Sequence, residues 1–243
     1  MKIELIRLDE VDSTNNYMRQ NVMPGPQELI VVTARHQTAG RGQGTNTWES
    51  EEGKNLLLSL GICSPGVPVR RQFVLSMAGA LAVKAALDHY TSDITLKWPN
   101  DVYWRDRKIS GTLIETSVRN GVIERCIYGI GIDVNQQVFV SDAPNPVSLY
   151  NILGHEVDID QLLHKLIQSF ARYYDIVSQG DYDTIMRLYH AALYRREGVY
   201  GYADRDGTFV ARIRSVEDNG TLVLVDTAGR ERRYMFKEVS YII

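Results

Sequence analysis

Apolar positions along the first 140 residues fall into short strand-like groups divided by polar turns. IELIRLDE, residues 3–10, predicts a short strand. It runs into Asp12-Ser13-Thr14, whose short side-chain oxygens suit the start of a helix. ELIVVTARHQ, residues 28–37, is rich in β-branched residues and predicts a second strand. KNLLLSLGI, residues 54–62, is apolar nearly throughout, the pattern of a buried strand. Val74, Met77, Leu81 and Ala85 recur at helical spacing without an internal proline, which predicts a helix over 70–90. DITLKWPNDVYW, residues 93–104, reads as two strand segments broken at Pro99. KISGTLIETSV and VIERCIYGIGIDV flank Asn120-Gly121, a type I′ hairpin signal. Leu162, Leu166, Phe170, Tyr173 and Val177 share one face of a helix over 160–178, and a further helix spans about Asp181 to Tyr194.

Beyond Arg196 the pattern changes. Short apolar segments alternate with DRDG, EDNG and TAGR, as in a small antiparallel barrel of about five strands. The chain therefore divides into residues 1–194 and 195–243.

Composition narrows the class. Of 243 residues, 44% are hydrophobic and 23% charged, ordinary for a globular protein with a sizeable core. A net charge of −3 gives no sign of a nucleic-acid binder, and the pairs Arg70-Arg71 and Arg195-Arg196 and the cluster Arg230 to Arg233 read as solvated surface. The two cysteines and five histidines have no metal-ligand spacing, and two cysteines suit a reducing compartment. MKIELIRLDE lacks the apolar stretch of a signal peptide, and no run approaches the roughly 18 apolar residues of a membrane helix. A cytoplasmic location is the expectation.

Four stretches offer chemistry. GRGQGTNTWES, residues 40–50, brings one arginine and one tryptophan onto a backbone with three glycines. Glycines let a backbone wrap an anion, Arg41 can meet a carboxylate or phosphate, and Trp48 offers a flat apolar face. The stretch is neither a Walker loop nor a dinucleotide turn; a flexible surface loop would show the same composition. KWPND, residues 97–101, places polar residues around a strand-breaking proline, or simply a turn with a buried tryptophan. KISGTLIE, residues 108–115, puts Lys108 and Ser110 on one strand face, with Gly111 permitting close approach of a ligand. GIGIDVN, residues 129–135, ends a strand with Asp133 and Asn135 on one face.

In this order the stretches resemble the biotin–protein ligase family. Its hallmarks appear here as Ser13-Thr14-Asn15, Gln37 through Trp48, Lys97 to Asp101, Lys108 to Glu115, and Gly129 to Asp133. YMFKEVSY near the end resembles the family's small C-terminal domain. The resemblance implies an α+β fold: a mixed β-sheet backed by helices, then a small SH3-like antiparallel barrel. It implies a ligase that activates biotin with ATP and Mg²⁺ as biotinyl-5′-AMP, then passes biotin to one lysine of a biotin carboxyl carrier domain. The implied biotin-binding residues are Ser13, Thr14, Asn15, Gln37, Gly40, Arg41, Gly42, Gln43, Lys108 and Gly111. Trp48, Lys97, Asn100 and Asp133 would bind ATP, and Lys108 and Arg41 would carry the catalytic charge. Metal ligands are not implied. The expected partners are the carrier domain of a biotin-dependent carboxylase and a second copy of the chain; neither nucleic acid nor membrane is expected. A lipoate or octanoate ligase or transferase, or a non-catalytic biotin-binding module, are the alternatives.

Two departures matter. Family members with glutamine at position 43 continue with a cation, whereas this chain has Gly44-Thr45-Asn46. A loop without that charge, made more flexible by Gly44, is expected to hold the adenylate loosely, with Gly44→Arg restoring retention. Asp133 stands where the family has asparagine. An ionised aspartate only accepts hydrogen bonds, so weaker adenine binding is expected, with Asn135 as a substitute on the same face.

Overall fold

The computed structural model describes residues 1–63, 65–141 and 143–243. The first sheet contains β1 (Lys2–Val11), β2 (Glu28–Gln37), β3 (Leu56–Cys63), β4 (Ile94–Lys97), β5 (Asp101–Trp104), β6 (Arg107–Arg119) and β7 (Val122–Ile132). Their order is β1-β2-β3-β7-β6-β5-β4. Only β1 and β2 run parallel, so the sheet is mixed. The β6–β7 turn takes the geometry that Asn-Gly prefers, with φ of 51° at Asn120 and 78° at Gly121.

Both faces of the central strands are covered, which is why β2 and β3 are apolar at successive positions. On one face Leu29, Val31, Leu56, Leu58, Leu60 and Ile62 join the main core with α2 (Phe73–Leu87) and α4 (Ile159–Ser178). Helix α2 is apolar almost all round, as a helix enclosed by sheet and helices must be. On the other face α1 (Thr14–Asn21) sets Met18 against Ile30, Val32 and Ile127. The short α3 (Leu149–Leu153) follows a Ser148–Asn151 capping box, and α5 (Tyr182–Ala191) packs beside α2. The predicted helix over 70–90 is shorter than its pattern, because residues 69–71 form a 3₁₀ turn first.

The second sheet is antiparallel, with β8 (Tyr200–Asp204), β9 (Gly207–Val216), β10 (Leu222–Asp226), β11 (Glu231–Tyr234) and β12 (Val239–Tyr241) in the order β11-β10-β9-β8-β12. It is fastened to the first at several points. The Trp98 indole N–H donates to the Gly220 carbonyl at 2.9 Å. Leu96 exchanges backbone hydrogen bonds with Ala192 and Tyr194 at the start of the connection. The Trp98 of KWPND is thus both a buried anchor and the neighbour of a cavity.

No helix among the described residues is long and apolar enough to cross a membrane.

Candidate active site

A cavity of about 1130 Å³ opens where α1, the loop before β3, the β4–β5 turn and β12 converge on β6 and β7. It is larger than a typical single-ligand pocket of about 300–1,000 Å³ and has room for two substrates. Thirteen of the fourteen residues named from the sequence line it: Ser13, Thr14, Asn15, Gln37, Arg41, Gly42, Gln43, Trp48, Lys97, Asn100, Lys108, Gly111 and Asp133. Gly40 is the exception. It forms the neck of the loop, where a Cβ would lie 2.6 Å from the Trp48 carbonyl oxygen.

One end of the cavity is a buried polar network. Ser13 occupies the N-cap position of α1, yet its hydroxyl makes no capping bond and faces the cavity. The Thr14 N–H and hydroxyl both reach Gln37 Oε1, at 2.8 and 3.1 Å. The Ser59 hydroxyl lies 2.6 Å from Asn15 Oδ1 and 2.8 Å from Thr14 Oγ1. Asn15 Nδ2 donates to Glu115 Oε2 at 2.9 Å. These groups fix one another's directions and form a rigid array of donors and acceptors. Neither Ser59 nor Glu115 is among the binding residues the resemblance implies, although Glu115 closes the KISGTLIE stretch; the lone hydroxyl inside the apolar KNLLLSLGI is the available signal for Ser59.

The glycine-rich stretch is a small hairpin. Trp48 N–H donates to Gly40 O and Gly42 N–H to Asn46 O, at 3.0 and 2.8 Å. It lays the Trp48 indole over the sheet, where side chains are missing by design of the strands. A Cβ at Gly131 would lie 2.4 Å from Trp48 Cε2, and one at Gly111 3.0 Å from Trp48 Cζ3. Arg41 turns toward the polar network: its Nη1 donates to Asn16 Oδ1 at 3.0 Å and to Glu115 Oε1 at 3.3 Å. Its charge is balanced there by Glu115, so reaching a phosphate requires the hairpin to move.

The other end is rich in cations. Lys108 Nζ is 2.7 Å from Asp101 Oδ1 and 5.6 Å from the Trp48 ring centre. Lys97 Nζ lies 5.0 Å from the Tyr103 ring centre and 4.9 Å from that of Tyr241, clasped between the two sheets. Burial, with Lys108 and Arg195 nearby, holds its ammonium below the ordinary lysine range against the pull of Asp101. Burial also pushes the Tyr103 hydroxyl above the ordinary tyrosine range. Asn100 Nδ2 donates to Thr112 O at 2.9 Å and fixes the turn after Pro99.

Two sequence expectations need correction. Lys108 and Ser110 do not share a face. Opposite Val102 and Tyr103 stand Ser110 and Lys108, leaving Ile109 as an extra residue. The bulge turns Lys108 and Gly111 into the cavity, while the Ser110 hydroxyl bonds Gly131 O at 2.7 Å. Nor does Asn135 accompany Asp133. The strand ends at Ile132, and the Asn135 amide exchanges hydrogen bonds with the Val157 backbone at 2.8 and 2.9 Å, away from the cavity.

A cation stands beside the loop all the same: Lys237, from the turn between β11 and β12. Gly44 has φ +69°, and a Cβ there would lie 2.6 Å from Lys237 Nζ. An arginine at 44 would adopt a disfavoured backbone conformation, costing about 1–2 kcal/mol, and meet a like charge. Gly44→Arg is therefore expected not to slow release of an acyl-adenylate, whereas Lys237→Gln is expected to speed it. Rapid-quench measurement of intermediate release from each variant checks both; slower release from Gly44→Arg would show that the loop itself lacks a needed charge.

Unpaired polar atoms concentrate at the cavity. Gln43 Oε1, Trp48 Nε1, Thr112 Oγ1, Asp133 Oδ1 and the Tyr241 hydroxyl are buried without a partner among the described residues, and all belong to lining residues. Each such atom costs about 1–3 kcal/mol unless a water or a ligand in the cavity satisfies it.

Residues 8–133, just over half of the chain, match the biotin/lipoate A/B protein ligase family. The chain belongs to this family. Similar to it is the bifunctional ligase/repressor BirA of Bacillus subtilis, 29% identical over 237 residues covering 95% of this chain and 72% of that protein. The biotin–[acetyl-CoA-carboxylase] ligase of Paracoccus denitrificans is 29% identical over 235 residues, covering 92% and 95%. A solved structure of biotin protein ligase from Aquifex aeolicus in complex with biotin and ATP matches with a TM-score of 0.80 at 25% identity, covering 98% of this chain and 97% of that one. Membership of the biotin/lipoate ligase family accounts for the mixed sheet and for a cavity large enough for an acid and a nucleotide together.

Proposed function

We propose that this member of the biotin/lipoate ligase family activates biotin with MgATP and transfers it to a lysine of a carboxylase carrier domain. The observation that carries the reading is the division of one cavity into a neutral hydrogen-bonding end and a cationic end. The ureido ring of biotin both donates and accepts, and the hydroxyl and amide array of Ser13, Thr14, Asn15 and Gln37 matches it. The valeryl chain would run past Gly129 and Gly131, which line the cavity between Asn15 and Trp48. Its carboxylate then arrives at Lys108.

In the first step a biotin carboxylate oxygen attacks the α-phosphorus of ATP, a P–O bond forms, and pyrophosphate leaves with the electrons of the broken P–O bond. Two anions must meet, so Lys108 and Lys97 lower the barrier by holding positive charge where negative charge gathers. In the second step the carrier amine attacks the acyl carbon, AMP leaves, and an amide forms with loss of a proton. Neither step needs an enzyme nucleophile. The hairpin of residues 40–48 covers the intermediate and keeps water from it. Among the described residues no three His, Cys, Asp or Glu side chains come together as a metal site. Mg²⁺ arriving with the nucleotide would keep most of its coordination to phosphates and water.

The test is incubation with biotin, MgATP and a carrier domain, read by intact mass. The expected result is one biotinyl adduct on the carrier lysine. Equal or better transfer of lipoate or octanoate, or no pyrophosphate release at all, would overturn the reading.

A further inference from the structure

Asp133 ends β7 at the cavity and is 4% exposed. Its backbone is fixed, donating to Ile109 O at 2.9 Å and accepting from Leu149 N–H at 3.1 Å. Its Oδ1 has no partner among the described residues. Two charged groups face it. Lys108, from β6, is drawn 2.7 Å onto Asp101 of β5. Glu49, from the loop before β3, stays ionised: burial pushes its carboxyl up, but hydrogen bonds from Ser141, Val140 and Gln136 outweigh that. Lys54, whose carbonyl holds Asn135, turns its ammonium to Glu156 at 2.8 Å. From the α3 side, Ser148 is occupied in its capping box. Asp133 is thus buried beside one anion and one already-committed cation. Burial first, then Glu49, lifts its carboxyl well above the usual carboxylate range, against the pull of Lys108.

We infer that Asp133 acts as a neutral carboxylic acid that donates from one oxygen and accepts at the other, and so reads the adenine of ATP as a carboxamide would. The inference rests on the ligase reading for the identity of the nucleotide. Adenine offers an acceptor at N7 beside the N6 amine donor. A neutral carboxyl meets both; a carboxylate would repel N7. The expected weak adenine binding is therefore replaced by binding that depends on pH. Rising pH strips the proton from Asp133 and turns the donor into a second acceptor. Stability follows the same sign. Between the unfolded value near 3.8 and the raised folded value, the folded chain holds a proton the unfolded chain gives up, so stability declines as pH rises through that window.

The experiment compares wild type with Asp133→Asn across neutral to alkaline pH by ATP calorimetry and thermal unfolding. Wild-type affinity for ATP is expected to weaken toward about tenfold per pH unit once Asp133 ionises, while the variant stays flat and matches wild type near neutrality. 7-Deaza-ATP, which lacks the N7 acceptor, is expected to bind several-fold more weakly than ATP to both proteins near neutrality. The stability advantage of Asp133→Asn should widen as pH rises. Parallel stability profiles would show an aspartate ionised throughout and overturn the inference. So would a pH-independent wild-type affinity, or equal binding of ATP and its 7-deaza analogue. Pyrophosphate release with biotin at neutral pH reports on the ligase reading separately, and the stability comparison decides the proton's presence whichever way that assay turns out.

Discussion

Lys108→Ala is expected to slow acyl-adenylate formation by roughly 10²–10³-fold, the loss that follows removal of one preorganised contact to developing charge. Two effects add. On the proposed reading, the variant removes the ammonium that would stand where carboxylate and phosphate meet. It also strips Asp101 of its partner at 2.7 Å, exposing both substrates to an unbalanced negative charge. The double variant Lys108→Ala/Asp101→Asn separates the two, since it restores neutrality without restoring the donor. It is expected to recover part of the rate and never the whole. Pyrophosphate release measured on biotin and ATP, with circular dichroism to check folding, decides the matter. Undiminished release from Lys108→Ala would remove this lysine from the chemistry.

Gly129→Ala is expected to weaken biotin binding on the order of 10–100-fold while leaving ATP binding within a few-fold of wild type. The new methyl would lie 2.4 Å from Asn15 Oδ1. Asn15 is held on both sides, 2.6 Å from the Ser59 hydroxyl and 2.9 Å from Glu115, so it cannot swing aside without losing buried hydrogen bonds. Breaking such bonds costs about 1–3 kcal/mol, and every 1.4 kcal/mol is about tenfold in affinity. Gly131→Ala makes the contrasting variant. Its methyl would strike Trp48 rather than Asn15, and the loss should fall on the nucleotide and on closure of the hairpin. Calorimetry with biotin alone and ATP alone reads the two arms. If Gly129→Ala left biotin affinity intact, the network at Ser13, Thr14 and Asn15 would not be the ureido site.

Much of this was legible because it is local. The Asn120-Gly121 pair announced the β6–β7 hairpin, since few residues other than Asn and Gly accept positive φ there. Helical spacing announced α4 from five residues on one face. The resemblance then supplied the family and the lining of the cavity. What escaped depended on single-residue irregularities or on distant contacts. Nothing in KISGTLIE marks Ile109 as a bulge, and that extra residue decides whether Lys108 or Ser110 enters the cavity. The alternation that paired Asn135 with Asp133 fails because the strand ends at Ile132. Lys237 and Tyr241 lie more than 100 residues from the loop and the lysine they accompany, a separation at which no sequence period speaks.

The clasp of Lys97 between Tyr103 and Tyr241 sets an order in which heat should take functions away. The array around Ser13, Gln37 and Ser59 belongs wholly to the first sheet and α1. The cationic end borrows Tyr241 from β12 and Phe236 and Lys237 from the turn before it. On the proposed reading, loosening of β12 would disturb the cationic end while the array on the first sheet stays in place, leaving a protein that still captures the small acid but cannot activate it.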